Sequence, residues 1–235
     1  MALSTHLTRP AVLAASLVAA GALLAVPGTA QASSAPHTST PGSATQTSAQ
    51  GSGVGLKKFQ ERHGLTPTGS VDRATAKALG QASDAELHQT FETAADLGPE
   101  ELANARTVIG VGKGAGIPEQ GQVIALMTAM QESKFVNYLT PVDHDSLGIF
   151  QQRPSTGWGT PEQITDVPTS SKSFYGVADF GTNPGLIQIE GWETMPPGDV
   201  CQAVQVSAYP DRYAQWEQFA RDLLAQEGPT VPPIP

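Results

Sequence analysis

The sequence predicts a mostly α-helical protein, and two observations lead to that prediction. Apolar side chains recur at helical spacing in several segments between residues 99 and 226, whereas alternating strand patterns are few. Proline and glycine stand where those helical segments would begin and end. The single cysteine, Cys201, cannot form an internal disulfide, so an apolar core must hold the fold together.

Residues 1–32 have the layout of a secretory signal peptide. Arg9 precedes an apolar stretch from Ala11 to Val26, and Ala30-Gln31-Ala32 offers small residues for cleavage. The apolar stretch is short for a membrane span, and an uncleaved anchor is the alternative. We therefore expect export, with a mature protein that is not held in a membrane.

Residues 33–53 are predicted to form a flexible linker, because Ser, Thr, Gly, Ala and Gln cannot bury enough apolar surface to fold. Residues 54–80 then predict two short helices joined by a turn. Leu56 and Phe59 share a helical face, and Asp72 can cap the second helix. The intervening segment, residues 66–69, has the composition of a turn.

The same segment resembles the second half of a small three-helix peptidoglycan-binding module. The matching residues are Phe59-Gln60, Gly64-Leu65, Gly69-Ser70-Val71-Asp72, Thr75 and Leu79. No first half of the module is apparent upstream. The resemblance implies peptidoglycan as a partner, and the alternative is a helix pair that only packs on the next domain.

Residues 99–226 are predicted to form one helical domain. Its predicted helices are one that begins at Pro99, one over 118–132, one over 200–208 and one over 213–226, and a connecting helix over residues 81–98 precedes the domain. Gly110 to Gly116 lacks the spacing of a phosphate-binding loop, so it is predicted to be a helix end and a turn. Residues 227–235 are rich in proline and are predicted to form a disordered tail.

The charge distribution excludes several partners. Residues 80–235 contain 7 basic and 20 acidic side chains, which leaves no basic surface for nucleic acid or anionic lipid. Asp143-His144-Asp145 brings two carboxylates beside one histidine, but no second ligand cluster accompanies it. We expect neither a metal nor a cofactor.

Glu132 ends a hydrophobic helical segment. A carboxyl group there would be partly desolvated, which raises its pKa. Cleavage of a glycosidic bond needs such a proton donor, because the leaving oxygen departs poorly until it is protonated. The alternative is a solvated glutamate in the last helical turn, paired with Lys134.

A wider set of motifs around Glu132 resembles the goose-type lysozyme and lytic transglycosylase superfamily. The matching residues are Glu132-Ser133, Gly148-Ile149-Phe150-Gln151, Ala208-Tyr209 and Tyr213. The resemblance implies a lysozyme-like helical domain with a cleft, and Glu132 as its catalytic acid. One departure is Pro210-Asp211, which stands where the family usually has Asn-Gly.

The resemblance also implies a set of sugar-binding positions. These candidates are Ser133, Gly148, Phe150, Gln151, Trp158, Tyr209 and Tyr213. Gly148 would let the backbone approach the sugar, and the amide of Gln151 can both donate to and accept from N-acetyl and hydroxyl groups. Ser133 would orient Glu132 or cap its helix, and Phe150 would lie beneath the acid. Trp158 would be either a sugar platform or a core residue.

Asp145 would decide the type of reaction. An inverting hydrolase needs a second carboxylate ~6.5–9.5 Å from the acid to activate water. Asp145 is the candidate and Asp143 the alternate. A lytic transglycosylase needs no second acid, since the 6-hydroxyl of the sugar attacks. The other alternative is that Asp145 only caps a turn.

The leading prediction is therefore an exported glycosidase that cleaves the glycan strands of peptidoglycan, with Glu132 as general acid and then base. A non-catalytic wall-binding protein with a lysozyme-like fold is the first alternative. A secreted inhibitor or partner-binding protein is the second. The sequence makes no prediction of the oligomeric state.

Overall fold

The computed structural model describes residues 53–141 and 143–235. The predicted signal peptide and nearly all of the predicted linker lie outside the described residues. The helices are α1 (Val54–Arg62), α2 (Arg73–Gln81), α3 (Asp84–Thr90), α4 (Pro99–Gly114), α5 (Glu119–Ser133), α6 (Pro161–Thr165), α7 (Val167–Tyr175), α8 (Pro197–Gln205) and α9 (Glu217–Glu227).

The described part of the chain is mainly helical and contains no strand, which confirms the predicted fold class. Short 3₁₀ turns connect the helices at Ala94–Asp96, Pro154–Thr156, Leu186–Gln188, Pro210–Arg212, Ala214–Trp216 and Gly228–Thr230. Among the described helices, none combines the length and apolar character that a membrane crossing requires.

Gln60 organises the first helix pair. Its fully buried side chain donates to the Ser70 carbonyl oxygen at 2.8 Å and to the Thr75 hydroxyl at 3.0 Å. Its side-chain oxygen accepts from the Gly69 N–H at 2.9 Å. One buried amide therefore fixes the predicted turn against both helices, while Asp72 caps α2 through the Thr75 N–H as expected.

The connecting segment is not one continuous helix. It forms α3 and then the 3₁₀ turn at Ala94–Asp96. The Asp96 carboxylate explains the break, because it accepts from the backbone N–H groups of Gly55, Glu92 and Thr93. The bonds from Glu92 and Thr93 satisfy backbone donors where the helix is interrupted, and the bond from Gly55 satisfies a donor in the first turn of α1.

Helix α5 forms the centre of the larger helical part. Residues 121–130 are buried without interruption, and α4, α7, α8 and α9 all pack against this helix. A helix that is apolar on every side must be surrounded by others. This central position brings the end of α5, with Glu132, to a point where loops from several helices meet.

Two helices were not predicted from the sequence. α6 and α7 follow each other over residues 161–175, where Ser and Thr are frequent and the apolar spacing is weak. Both have proline in the first turn and a capping side chain, Thr160 for α6 and Asp166 for α7. Capping chemistry rather than apolar periodicity marks them.

The proline-rich tail is ordered against α4, so the prediction of disorder is wrong. The Ile234 N–H donates to the Gly110 carbonyl oxygen at 2.8 Å, and Lys113 Nζ donates to the Val231 carbonyl oxygen at 2.8 Å. A Cβ atom at Gly114 would lie 1.8 Å from the Ile234 carbonyl oxygen. α4 continues to Gly114, so the predicted helix end falls in the last part of 110–116, and the helical glycines Gly110 and Gly114 make room for the tail.

Candidate functional site

Glu132 lies in the last turn of α5, which ends in a left-handed cap at Lys134 with φ of 57°. The residue keeps partial solvent exposure, although protein atoms surround its carboxyl group densely. Desolvation raises the pKa of Glu132, and the Tyr213 hydroxyl, the charge of Lys134 and the Gln205 amide oppose that rise only in part. The Glu132 carboxyl group therefore keeps its proton to higher pH than a solvated glutamate does.

Tyr213 is the direct partner of this carboxyl group. Its hydroxyl donates to Glu132 Oε1 at 2.5 Å, across 81 positions of the chain. Tyr213 stands between the 3₁₀ turns at Pro210–Arg212 and Ala214–Trp216, and its side chain is fully buried. Burial and the neighbouring carboxylate both raise the pKa of Tyr213, so the phenol remains a hydrogen-bond donor.

Gln205 and Lys134 also belong to this site, although neither was predicted to have a functional role. The Gln205 amide donates to the Phe150 carbonyl oxygen at 2.7 Å and is close enough to Glu132 to lower the pKa of that carboxyl group. Lys134 is buried, and this burial lowers its pKa to about 8. Lys134 follows Glu132 by two residues, so its closeness to the carboxyl group could be inferred from the sequence. Nothing in the sequence singled out Gln205.

Ser133 ties α5 to the loop that follows it. Its buried hydroxyl donates to the Ile149 carbonyl oxygen at 2.7 Å and lies 3.2 Å from the Ala129 carbonyl oxygen. Both partners are backbone groups of the protein. Ser133 is thus placed to position the end of α5 rather than to contact a sugar.

The Gly148–Gln151 turn is shaped by the protein interior. Gly148 has φ of 71°, and a Cβ atom there would lie 2.4 Å from the Ile164 carbonyl oxygen. The close approach that needs glycine is therefore to α6 and not to a sugar. The Gln151 side chain donates to the Gly148 carbonyl oxygen at 2.9 Å and keeps partial exposure.

Two of the candidate site residues, Phe150 and Trp158, are buried in the core. Phe150 is fully buried and stacks on Phe174 with ring centroids 4.6 Å apart. Trp158 is 7% exposed, which favours the core alternative over a sugar platform. Burial of their apolar rings stabilises the fold. The sequence shows that these residues are aromatic, but it does not show whether they are buried or exposed to a sugar.

Tyr209 has the opposite environment. It is 48% exposed, and the Arg212 guanidinium lies 4.9 Å from the centre of its ring. Val206, which is 65% exposed, follows Gln205 directly along the chain. These side chains give an accessible aromatic and apolar surface on the segment that links Gln205 to Tyr213.

Asp145 is occupied by structural contacts. Its two oxygens accept from Arg153 Nε and from the Ser155 N–H, both at 2.7 Å. Burial alone would raise its pKa, but these hydrogen bonds outweigh burial and hold the pKa of Asp145 well below its usual range. The alternate, Asp143, lies 2.8 Å from His144 Nδ1. The geometry favours the turn-capping role of Asp145 over that of a catalytic base.

Backbone strain concentrates around the same site. In the described ranges, the non-glycine residues with positive φ are Lys134, Phe135, His144, Gln151 and Val206. Lys134 and Phe135 lie two and three residues after Glu132, and Val206 follows Gln205. A left-handed β-branched residue such as Val206 is an outlier, and such conformations cluster at functional sites.

Two pockets of the described chain lie away from Glu132. One of about 350 Å³ lies between the α3 segment and the start of α9, and one of about 330 Å³ lies beside the tail. No group of three or more His, Cys, Asp or Glu side chains within residues 53–141 and 143–235 is placed to hold a metal ion.

Residues 38–79 match the family described as "Putative peptidoglycan binding domain". The match begins at residue 38, inside the segment predicted to be a linker and before the predicted start of the module at residue 54. It ends at residue 79, so the resemblance of the Glu132 region to lysozyme-like enzymes rests on its motifs alone. No curated protein matches the chain.

Proposed function

We propose that this chain is an exported glycosidase that binds peptidoglycan through residues 38–79 and cleaves its glycan strands with Glu132 as the general acid. The peptidoglycan-binding domain supports the choice of polymer. The observation on which the proposed chemistry depends is the desolvated Glu132 carboxyl group held by the Tyr213 hydroxyl at 2.5 Å. The signal-peptide layout of residues 1–32 supports export.

In the proposed reaction, protonated Glu132 donates its proton to the oxygen of the scissile bond between N-acetylmuramic acid and N-acetylglucosamine. The carboxylate that forms would be stabilised by the Tyr213 hydroxyl, the Gln205 amide and the charge of Lys134. The same carboxylate then accepts a proton from the attacking hydroxyl group. General acid and base catalysis of this kind is worth about 10²–10⁴-fold in rate.

The contacts of Asp145 favour a transglycosylase over an inverting hydrolase. A carboxylate that already accepts from Arg153 and Ser155 is poorly suited to activate water. A transglycosylase needs only one acid, because the 6-hydroxyl of the sugar attacks its own anomeric carbon. The proposed product is therefore a glycan with an anhydro end.

A non-catalytic wall-binding protein is the second candidate function. Two observations favour it: Trp158 is buried in the core, where it cannot serve as a sugar platform, and Pro210-Asp211 departs from the family pattern. Under this reading, residues 38–79 would bind the wall and the larger helical part would only support them.

A digestion and sedimentation experiment separates the two candidates. Residues 33–235, purified as wild type and as Glu132→Gln, are incubated with insoluble peptidoglycan. The proposal expects Glu132→Gln to sediment with the polymer and the wild type to clear the suspension. Sedimentation of both without clearing by either supports the wall-binding alternative. Sedimentation of neither, together with no clearing, contradicts both candidates.

A further inference from the structure

The 3₁₀ turn at Ala214–Trp216 connects the Glu132 site to the segment that follows the peptidoglycan-binding domain. Tyr213 precedes this turn and Trp216 ends it, and the Trp216 N–H donates to the Tyr213 carbonyl oxygen at 3.0 Å. The residue that donates to Glu132 and the buried Trp216 thus belong to one small rigid unit.

Trp216 is joined to the end of α5 by a hydrogen bond. Its Nε1–H donates to Gln131 Oε1 at 2.9 Å, and the Gln215 amide lies 3.2 Å from the same oxygen. Gln131 directly precedes Glu132. Lys134 Nζ lies 3.1 Å from the Gln131 carbonyl oxygen and 5.6 Å from the centre of the Trp216 ring. The position of Trp216 therefore affects the residues on both sides of Glu132.

His88 of α3 covers Trp216 from the other segment. The two rings are stacked with centroids 4.9 Å apart and an angle of 25° between their planes. His88 is itself exposed, whereas Trp216 is completely buried. Removal of the imidazole would therefore open Trp216 to water on that side. Asp84, at the start of α3, adds a weak ion pair with Arg212 at 3.9 Å.

We infer that His88 is a positioning residue for Glu132: by stacking on Trp216 it holds the turn that presents the Tyr213 hydroxyl to the acid. The segment after the peptidoglycan-binding domain thus completes the candidate site in the larger helical part. This inference rests on the proposed function for its effect on turnover. The stack of His88 on Trp216 and the hydrogen bond from Trp216 to Gln131 can be tested without measuring activity.

The test compares His88→Ala with Gln89→Ala in the chain from residue 33 to 235. Gln89 is the exposed neighbour of His88 on α3 and forms no stack, which makes it a matched control. A third variant, His88→Phe, keeps an aromatic ring over Trp216 and removes the imidazole nitrogens. If His88→Phe behaves as wild type, the change seen in His88→Ala is due to the loss of stacking on Trp216.

Two spectroscopic signals report on the site without requiring turnover. His88→Ala is expected to shift the indole N–H resonance of Trp216 and to raise its hydrogen-exchange rate. It is also expected to change the titration of the Glu132 side-chain carboxyl carbon. Gln89→Ala should leave both signals at their wild-type values. If His88→Ala and Gln89→Ala give the same spectra as wild type, the inference is wrong.

Turnover and binding complete the test. We expect His88→Ala to lose about tenfold to a hundredfold in kcat, because small displacements of catalytic groups have effects of that size. KM and sedimentation with peptidoglycan should stay near wild type, and His88→Phe should recover most of kcat. A wild type without turnover would contradict the proposed function, and the spectra would still decide whether His88 positions Glu132.

Discussion

The hydroxyl of Tyr213 donates to Oε1 of Glu132 at 2.5 Å, although 81 positions of sequence separate the two residues. This contact joins the end of the central helix α5 to a 3₁₀ turn near the end of the chain. The desolvated carboxyl group therefore has a strong hydrogen-bond donor beside it. Such an arrangement is expected of an acid that must ionise during a reaction, because the donor stabilises the carboxylate that forms.

Tyr213→Phe removes that donor without changing the shape of the ring. Because the hydrogen bond from Tyr213 lowers the pKa of Glu132, its loss should raise that pKa further. The alkaline limb of the pH–activity profile should move to higher pH, with a fall of about tenfold in maximal rate. A profile that coincides with that of wild type would show that the contact does not tune the acid.

Glu132→Gln should stabilise the protein at neutral pH while it abolishes activity. The folded-state pKa of Glu132 is raised, so its contribution to stability is complete below the unfolded-state pKa and is lost as pH rises through the folded-state pKa. Glutamine has no charge to desolvate. Thermal melts should show that wild type loses more stability than the variant when the pH is raised from 4 to 8. A less stable variant at pH 8 would indicate a structural role for the carboxylate.

Glu101 provides a second case of the same linkage, away from the candidate site. It is 2% exposed, Oε1 accepts from the Val71 N–H at 3.1 Å, and the described residues provide no hydrogen-bond partner for the buried Oε2. Desolvation raises its pKa. Glu101→Gln should therefore flatten the decline of stability with pH above the unfolded-state pKa and leave peptidoglycan clearing unchanged. A steeper decline in the variant would contradict this assignment.

Asp145→Asn tests the turn-capping role. Loss of the charged hydrogen bonds from Arg153 and Ser155 should cost about 1–3 kcal/mol of unfolding free energy. Turnover measured well below the melting temperature should stay within about threefold of wild type. A loss of turnover comparable to that of Glu132→Gln would instead make Asp145 a catalytic carboxylate, and would favour a hydrolase.

Gly114→Ala tests the packing of the tail. The new methyl group would meet the Ile234 carbonyl oxygen, so the tail must move away from α4. We expect a loss of about 1–3 kcal/mol in unfolding free energy. Gly80→Ala is the matched control, because it is also a helical glycine and no atom lies within 4 Å of its added Cβ. Equal effects of the two substitutions would contradict the packed tail.

The sequence predicted the helical class and the principal helices because their causes are local. Apolar spacing marked α5, and Asp72 marked the start of α2 through capping chemistry. Glu132 was singled out for the same reason, since an acid at the end of an apolar helix is visible in one dimension. α6 and α7 escaped prediction because their caps, rather than their apolar spacing, define them.

The remaining features depend on contacts between distant segments. The roles of Gln205 and His88 arise only when α8 and α3 pack beside α5 and Trp216. The burial of Phe150 and Trp158 likewise depends on neighbours that no local pattern reveals. The tail was predicted to be disordered from its prolines, but the partners of Ile234 are glycines of α4 more than a hundred residues earlier.

Mass spectrometry of the soluble products released from purified peptidoglycan tests the central claim most directly. Wild-type residues 33–235 should release glycan fragments with anhydro ends, and Glu132→Gln should release about 10²-fold less or none. Reducing ends would keep Glu132 as the acid but replace the transglycosylase with a hydrolase. No soluble fragments from wild type, or equal release by the variant, would contradict the proposal that Glu132 cleaves the wall.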